Sequence, residues 1–160
     1  MKINSGSCLV VFCIVLVLGQ LFFPPIVHAC TLAVANGDVT ADGRPLLWRN
    51  GDSTSDVRDQ LAWVSAEPYN YLGTRHDGGG IYNGLNEAGV VLSNSSVPAP
   101  PGPSPGFSPY KYILRNCNSI NQIRDFLVQY VDDNECYLSG CFPFIDMYGN
   151  TTIFEINRSN

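Results

Sequence analysis

Histidine is scarce in this chain of 160 residues, which has only two, and its nine basic residues are outnumbered by fourteen acidic ones. His28 lies in the leader, which leaves His76 beside the run Asp77-Gly78-Gly79-Gly80. A histidine-built metal site is therefore not expected, and a Ser-His-Asp or Cys-His arrangement would rest on His76 alone, which reads more simply as an exposed loop residue. A formal net charge of -5 provides no basic face to neutralise phosphates, so nucleic acid is not an expected partner. No two cysteines are spaced CxxC, which leaves zinc-ribbon and thioredoxin-like readings without support. The longest apolar run, Cys8 to Leu18, falls well short of the about 20 residues that cross a bilayer as a helix. With 45% hydrophobic and 14% charged residues, disordered and collagen-like classes are also excluded.

The same N-terminal run has the layout of an export signal. Lys2 supplies the charge, Cys8 to Leu18 the apolar region, and Val27 and Ala29 the small residues before Cys30. The expected organisation is a signal peptide over 1–29 and one domain over 30–160, secreted or periplasmic after cleavage following Ala29, with no transmembrane helix left once the signal is removed. Cys8 and Cys13 leave with the signal. Cys30, Cys117, Cys136 and Cys141 then enter an oxidising compartment, where pairing among Cys117, Cys136 and Cys141 is expected but its pattern is open.

Beyond Cys30, Cys30 to Ala35 and Leu46 to Trp48, separated by Asn36-Gly37-Asp38 and Asp42-Gly43, read as an N-terminal β-hairpin. A strand is expected over Leu61 to Ser65, and a second hairpin joins Ile81–Leu85 to Val90–Asn94 through a turn in which Asn86 and Gly89 serve as turn residues. Val97 to Pro109 contains six prolines and reads as a loop. A short helix over Tyr110 to Asn116 precedes a longer one, in which Ile120, Ile123, Leu127, Tyr130 and Val131 recur at helical spacing behind a Ser119/Gln122 capping pair. Phe142–Tyr148 and Thr151–Ile156 close the chain as a hairpin around Gly149-Asn150. The order of strands, helices and strands predicts an α+β fold.

The residue exposed by export is Cys30, and an N-terminal cysteine carries nucleophile and base together. A free thiol ionises near about 8.5 and a free α-amine near about 8, so the amine can take the thiol proton around neutral pH. This self-contained chemistry is that of the N-terminal threonine hydrolases, and it works without histidine, metal or cofactor.

Further residues extend the pattern: Cys30-Thr31, Asp42-Gly43, Arg49-Asn50-Gly51-Asp52, Asn83-Gly84-Leu85-Asn86-Glu87-Ala88-Gly89, and Ser93-Asn94-Ser95. In this order they resemble the linear-amide branch of the N-terminal nucleophile (Ntn) hydrolases, the group that includes choloylglycine hydrolase and the penicillin-forming acyl-coenzyme A acyltransferase. The resemblance implies a four-layer αββα sandwich and cleavage of linear, non-peptide C–N bonds in small acylated amines or amino acids, with acyl transfer as a variant. It implies Cys30 as nucleophile, Arg49 beside the thiolate, Asp52 holding the α-amine and Asn94 in the oxyanion hole. Members of that family are commonly longer than this chain, so 30–160 is expected to hold the N-terminal portion of the sandwich, incomplete at its C-terminus.

Other readings of the same residues remain open. Val27-His28-Ala29-Cys30 also fits a lipobox, which would make the protein a membrane-anchored binding module acylated at Cys30. Cys30 paired with Cys117 would be structural. Arg49 and Asp52 could form a surface pair at a hairpin end. Asn94, Asn150 and Asn157 each begin an N-x-S/T sequon, and glycosylation at Asn94 excludes an oxyanion role there. Trp48, Trp63, Tyr69 and Tyr71 suit either an acyl pocket or a core. The sequence is silent on oligomeric state.

Overall fold

The computed structural model describes residues 30–51, 58–76, 80–96, 108–134 and 140–156. Among the described residues the fold is mixed α+β, with two antiparallel sheets, two α-helices and a single 3-10 turn, Gly37–Val39. Strands β1 (Thr31–Ala35) and β2 (Leu46–Asn50) pair antiparallel as a separate hairpin, with Leu32 opposite Arg49. A seven-stranded sheet holds β3 (Asp59–Val64), β4 (Tyr71–His76), β5 (Ile81–Asn86), β6 (Val91–Leu92), β7 (Ser95–Ser96), β8 (Gly140–Ile145) and β9 (Thr151–Ile156). The helices α1 (Pro109–Asn116) and α2 (Ile120–Asn134) lie between β7 and β8 in sequence.

The expected hairpins and helices are present with small boundary shifts, and β4 is an addition. It places the backbone of His76 in a strand opposite Asp59, not in the loop expected of it. Pro109, expected in the loop, opens α1 at a position where the missing N–H costs nothing. The remainder of the proline-rich stretch, 97–107, lies outside the described residues, as do residues 1–29, Cys136 and Asn157.

Strands β6 and β7 run end to end along one side of β8 and share a single register, Leu92 opposite Phe144 and Ser95 opposite Cys141. The break between them falls opposite Pro143. Ser93 N donates to the Pro143 carbonyl at 3.2 Å, but proline has no N–H to return the second bond of that pair. The ladder therefore lapses at Ser93 and Asn94, the segment that enters the candidate site.

Both helices cover one face of the large sheet. Ile113, Leu114, Ile123, Leu127 and Tyr130 pack there with Tyr71, Ile81, Val90, Leu92, Phe142 and Phe144. Gly84 lets α1 come this close, since a Cβ on it would lie 2.7 Å from Leu114 Cδ1. Asn86 does more than the turn duty expected of it. Its Nδ2 donates to the carbonyls of Leu114 (2.9 Å) and Cys117 (2.8 Å), and its Oδ1 accepts from Val90 N (2.8 Å). It thereby satisfies carbonyls that the end of α1 leaves without helical partners.

The capping pair of α2 forms with an offset. Gln122 N approaches Ser119 Oγ at 3.5 Å, while the Gln122 side chain accepts from Asn118 N at 2.9 Å. The buried carboxylate of Asp146 accepts from Ile120 N as well as from Tyr148 N and Asn150 N. This hold on the turn amides ends β8 at Ile145, earlier than the Tyr148 expected.

The hairpin β1–β2 packs against β8 and β9 on the opposite face. Leu61, Trp63 and Leu85 also stand there, exposed. Trp48 is 54% and Trp63 63% exposed, so neither belongs to the core, whereas Tyr71 at 5% does.

Candidate active site

The hairpin register sets the first geometric relation. Extending it one rung past Thr31–Asn50 puts Cys30 opposite Gly51, so Arg49 is the diagonal neighbour of Cys30 on one face of the hairpin. Arg49 Nη2 lies 3.5 Å from Cys30 Sγ. Its Nε donates to the backbone carbonyl of Asn94 at 3.0 Å, reaching across from the hairpin to the break between β6 and β7. Three of the four residues expected at the site thus meet through one guanidinium. The fourth, Asp52, lies outside the described residues. Arg49 is itself half-buried, so its charge is screened by solvent less than at an open surface.

Tyr82, which sequence reasoning did not single out, lies beneath the same guanidinium, with Arg49 Cζ 5.1 Å from the ring centroid. Its presence there follows from an irregularity in β5. Thr74 pairs with Asn83, but the next residue of β4, Arg75, pairs with Ile81, so Tyr82 is the extra residue of a bulge. Regular alternation from Gly84 and Asn86, which face α1, would have sent Tyr82 toward the helices. The bulge turns it to the hairpin face instead. Burial pushes the Tyr82 phenol up from its ordinary value, and the neighbouring Asp59 carboxylate adds to this.

Asn94 is 7% exposed and is held at both ends. Arg49 binds its carbonyl, and its Nδ2 donates to the Tyr110 hydroxyl on α1 at 3.0 Å. Its side chain is thus directed at Tyr110, and its burial leaves no room for a glycan on the folded protein. Burial pushes the Tyr110 phenol up to about 12, with the Asn94 hydrogen bond acting in the lowering direction. Asn150, the second described sequon residue, is exposed on the β8–β9 turn and donates to Asp146 Oδ2 at 3.1 Å.

Beside Arg49, an apolar cleft of about 270 Å³ opens between the hairpin and the sheet, lined among others by Leu47, Leu61, Leu72, Leu85 and Val91. Its polar margin is a chain in which Ser93 Oγ donates to Asn83 Oδ1, and Asn83 Nδ2 donates to Thr74 Oγ1 at 3.0 Å. Of the four aromatics considered for an acyl pocket, none lines this cleft.

Among the described residues, Cys30, Cys117 and Cys141 form no disulfide with one another. Burial pushes the Cys117 thiol up to about 11, which keeps it protonated at neutral pH. Among the described residues no cluster of three His, Cys, Asp or Glu side chains is placed to hold a metal ion, and no helix is long and apolar enough to cross a membrane.

No family model matches the chain, and no curated protein matches it. The functional reading therefore rests on the residues and their geometry.

Proposed function

We propose that this protein is an exported cysteine Ntn hydrolase acting on linear amides of small acylated amines or amino acids, with the described residues forming the N-terminal portion of an αββα sandwich. The observation that carries the reading is the 3.5 Å approach of Arg49 Nη2 to Cys30 Sγ, at the residue where the leader meets the β-hairpin. The layering supports it too: helices pack on one face of the large sheet, and the opposite face carries the start of a second sheet beside exposed Leu61, Trp63 and Leu85.

In this mechanism the α-amine freed by signal cleavage takes the thiol proton, and the Cys30 thiolate attacks the amide carbonyl carbon. The C–N bond breaks as the amine leaves with a proton from the α-ammonium, and a thioester remains on Cys30. Water, or an acceptor amine, then attacks the thioester and restores the thiol. Arg49 holds negative charge at the sulfur. Asp52 would hold the α-amine. In the family's scheme Asn94 would serve the oxyanion; its carbonyl meets Arg49 while its side chain turns to Tyr110 on the helix side, so that role would need the side chain to turn toward Cys30. Such a donor is worth about 3 to 4 kcal/mol at the transition state.

The deciding experiment combines intact mass, N-terminal sequencing and substrate challenge of the exported protein. The reading expects Cys30 at residue one, an acyl-sized mass increase on the Cys30 peptide after exposure to N-acyl amines, and no turnover by Cys30→Ala. Wild-type turnover by Cys30→Ala would sink the proposal. A lipid-sized adduct on Cys30 would do so as well, in favour of the anchored binding module.

A further inference from the structure

We propose that Gly51 is a positioning residue, whose missing side chain leaves the space in which the Arg49 guanidinium reaches Cys30 Sγ. The inference deepens the hydrolase reading and rests on it only for its catalytic consequence.

The hairpin geometry creates the need for that space. The hairpin register, extended one rung, sets Cys30 across from Gly51, and Arg49 is two residues back in β2. To reach the sulfur, the Arg49 side chain must run along the hairpin surface past position 51. A Cβ built on Gly51 would lie 2.5 Å from Arg49 Nη1, 2.9 Å from Cζ and 3.1 Å from Nη2. Real Cβ atoms essentially never show the first two separations, so with any side chain at 51 the guanidinium must shift from this place.

The glycine is not required by the backbone. Among the described residues the glycines with positive φ are Gly43, Gly89, Gly140 and Gly149, and Gly51 is not among them, so alanine fits its conformation. Nor is it required by core packing, because the atoms that a Cβ would strike all belong to the far end of one flexible side chain. What is lost on substitution is the position of Arg49, not the hairpin.

The position is closed on other sides. The Tyr82 ring lies 5.1 Å from Cζ, and the Asn94 carbonyl fixes Nε at 3.0 Å. An arginine pushed away from Gly51 would break these contacts or the one to Cys30, since a planar guanidinium holds its donors in fixed relative directions.

The test reads Cys30 directly and needs no substrate. The exported full-length protein is treated with iodoacetamide at neutral pH, and the Cys30 peptide is followed by mass spectrometry. Gly51→Ala is expected to slow Cys30 alkylation about three- to tenfold, because the guanidinium that stands beside the sulfur is displaced. In an Arg49→Ala background the same substitution is expected to change nothing, which separates action through Arg49 from a general structural effect. Tyr82→Phe, which keeps the ring, should alkylate like the wild type, and Tyr82→Leu should slow. Gly51→Ala should still unfold cooperatively, with a midpoint lowered by no more than the loss of the Arg49 contacts accounts for.

An unchanged alkylation rate in Gly51→Ala overturns the proposal, and so does equal slowing with and without Arg49. An unfolded Gly51→Ala protein overturns it too, since it would show that the guanidinium does not yield. If this alkylation pattern holds while no acyl-enzyme forms with any amide, the hydrolase reading fails and the positioning role of Gly51 stands.

Discussion

Asn94 Nδ2 donates to the Tyr110 hydroxyl at 3.0 Å, tying the break between β6 and β7 to the first turn of α1. The helix layer thereby reaches through the sheet to the segment that Arg49 grips from the hairpin side. Removing the hydroxyl with Tyr110→Phe takes away one hydrogen bond of about 1 kcal/mol and leaves a buried amide hydrogen without that acceptor, so a loss of about 1 to 3 kcal/mol is expected in denaturant unfolding. If the proposed oxyanion role holds, acyl-enzyme formation should slow more than stability falls.

The same phenol makes stability depend on alkaline pH. Tyr110 ionises at its ordinary 10.0 when unfolded and only at about 12 when folded, so the unfolded chain loses its proton first. Its contribution is complete below pH 10 and is lost as pH rises toward 12. Cys117, raised from 9.0 to about 11, acts in the same direction from a slightly lower pH. Denaturant midpoints measured across this range should fall steadily, and Tyr110→Phe should flatten the upper part of the decline.

Gly84 lies under α1 with no room for a methyl group, because a Cβ would come 2.7 Å from both Leu114 Cδ1 and the Leu72 carbonyl. Backbone cannot yield as a flexible side chain does. Gly84→Ala should therefore cost about 1 to 3 kcal/mol, seen as a lowered urea midpoint. By lifting α1 it should also weaken the Asn94–Tyr110 contact.

Asn86 serves three buried backbone groups at once: the carbonyls of Leu114 and Cys117 and the N–H of Val90. Asn86→Ala strands all three, and a loss of at least about 2 kcal/mol is expected. Asn86→Asp keeps an acceptor for Val90 N but sets a carboxylate against two carbonyls, so it should be no better tolerated. Chemical denaturation of both variants checks this.

Thiol reactivity should divide sharply. Buried Cys117, with its thiol pushed up to about 11, should resist iodoacetamide in the folded protein and react on unfolding, whereas Cys30 should react in the native state. Native alkylation of Cys117 at the rate of Cys30 would contradict the packing described.

How much was legible in the sequence differs element by element. The α2 pattern of Ile120, Ile123, Leu127 and Tyr130 is a local periodicity, and the structure buries Ile123, Leu127 and Tyr130 as that pattern demands. The hairpin turns carried local glycine and asparagine signals, and they appear where those signals stood. β4 escapes a local reading because Tyr71–His76 contains Gly73 and ends in Thr74-Arg75-His76, and its strand character comes from pairing on both sides with β3 and β5. The early end of β8 was equally hidden, because it depends on Asp146 reaching Ile120 on a helix distant in sequence.

The sequence by itself determined the α+β class, the hairpin that carries Cys30 and Arg49, and the amphipathic α2, because each follows from signals within one turn or one strand. Tertiary structure alone decided that Arg49 joins Cys30 to the Asn94 carbonyl, that Tyr82 turns beneath the guanidinium, and that Asn94 reaches Tyr110. The bulge at Tyr82 exists only relative to the register of β4, and the break at Asn94 only relative to a proline across the ladder. A partner across a sheet is set by pairing between distant segments, and no window of consecutive residues contains that information.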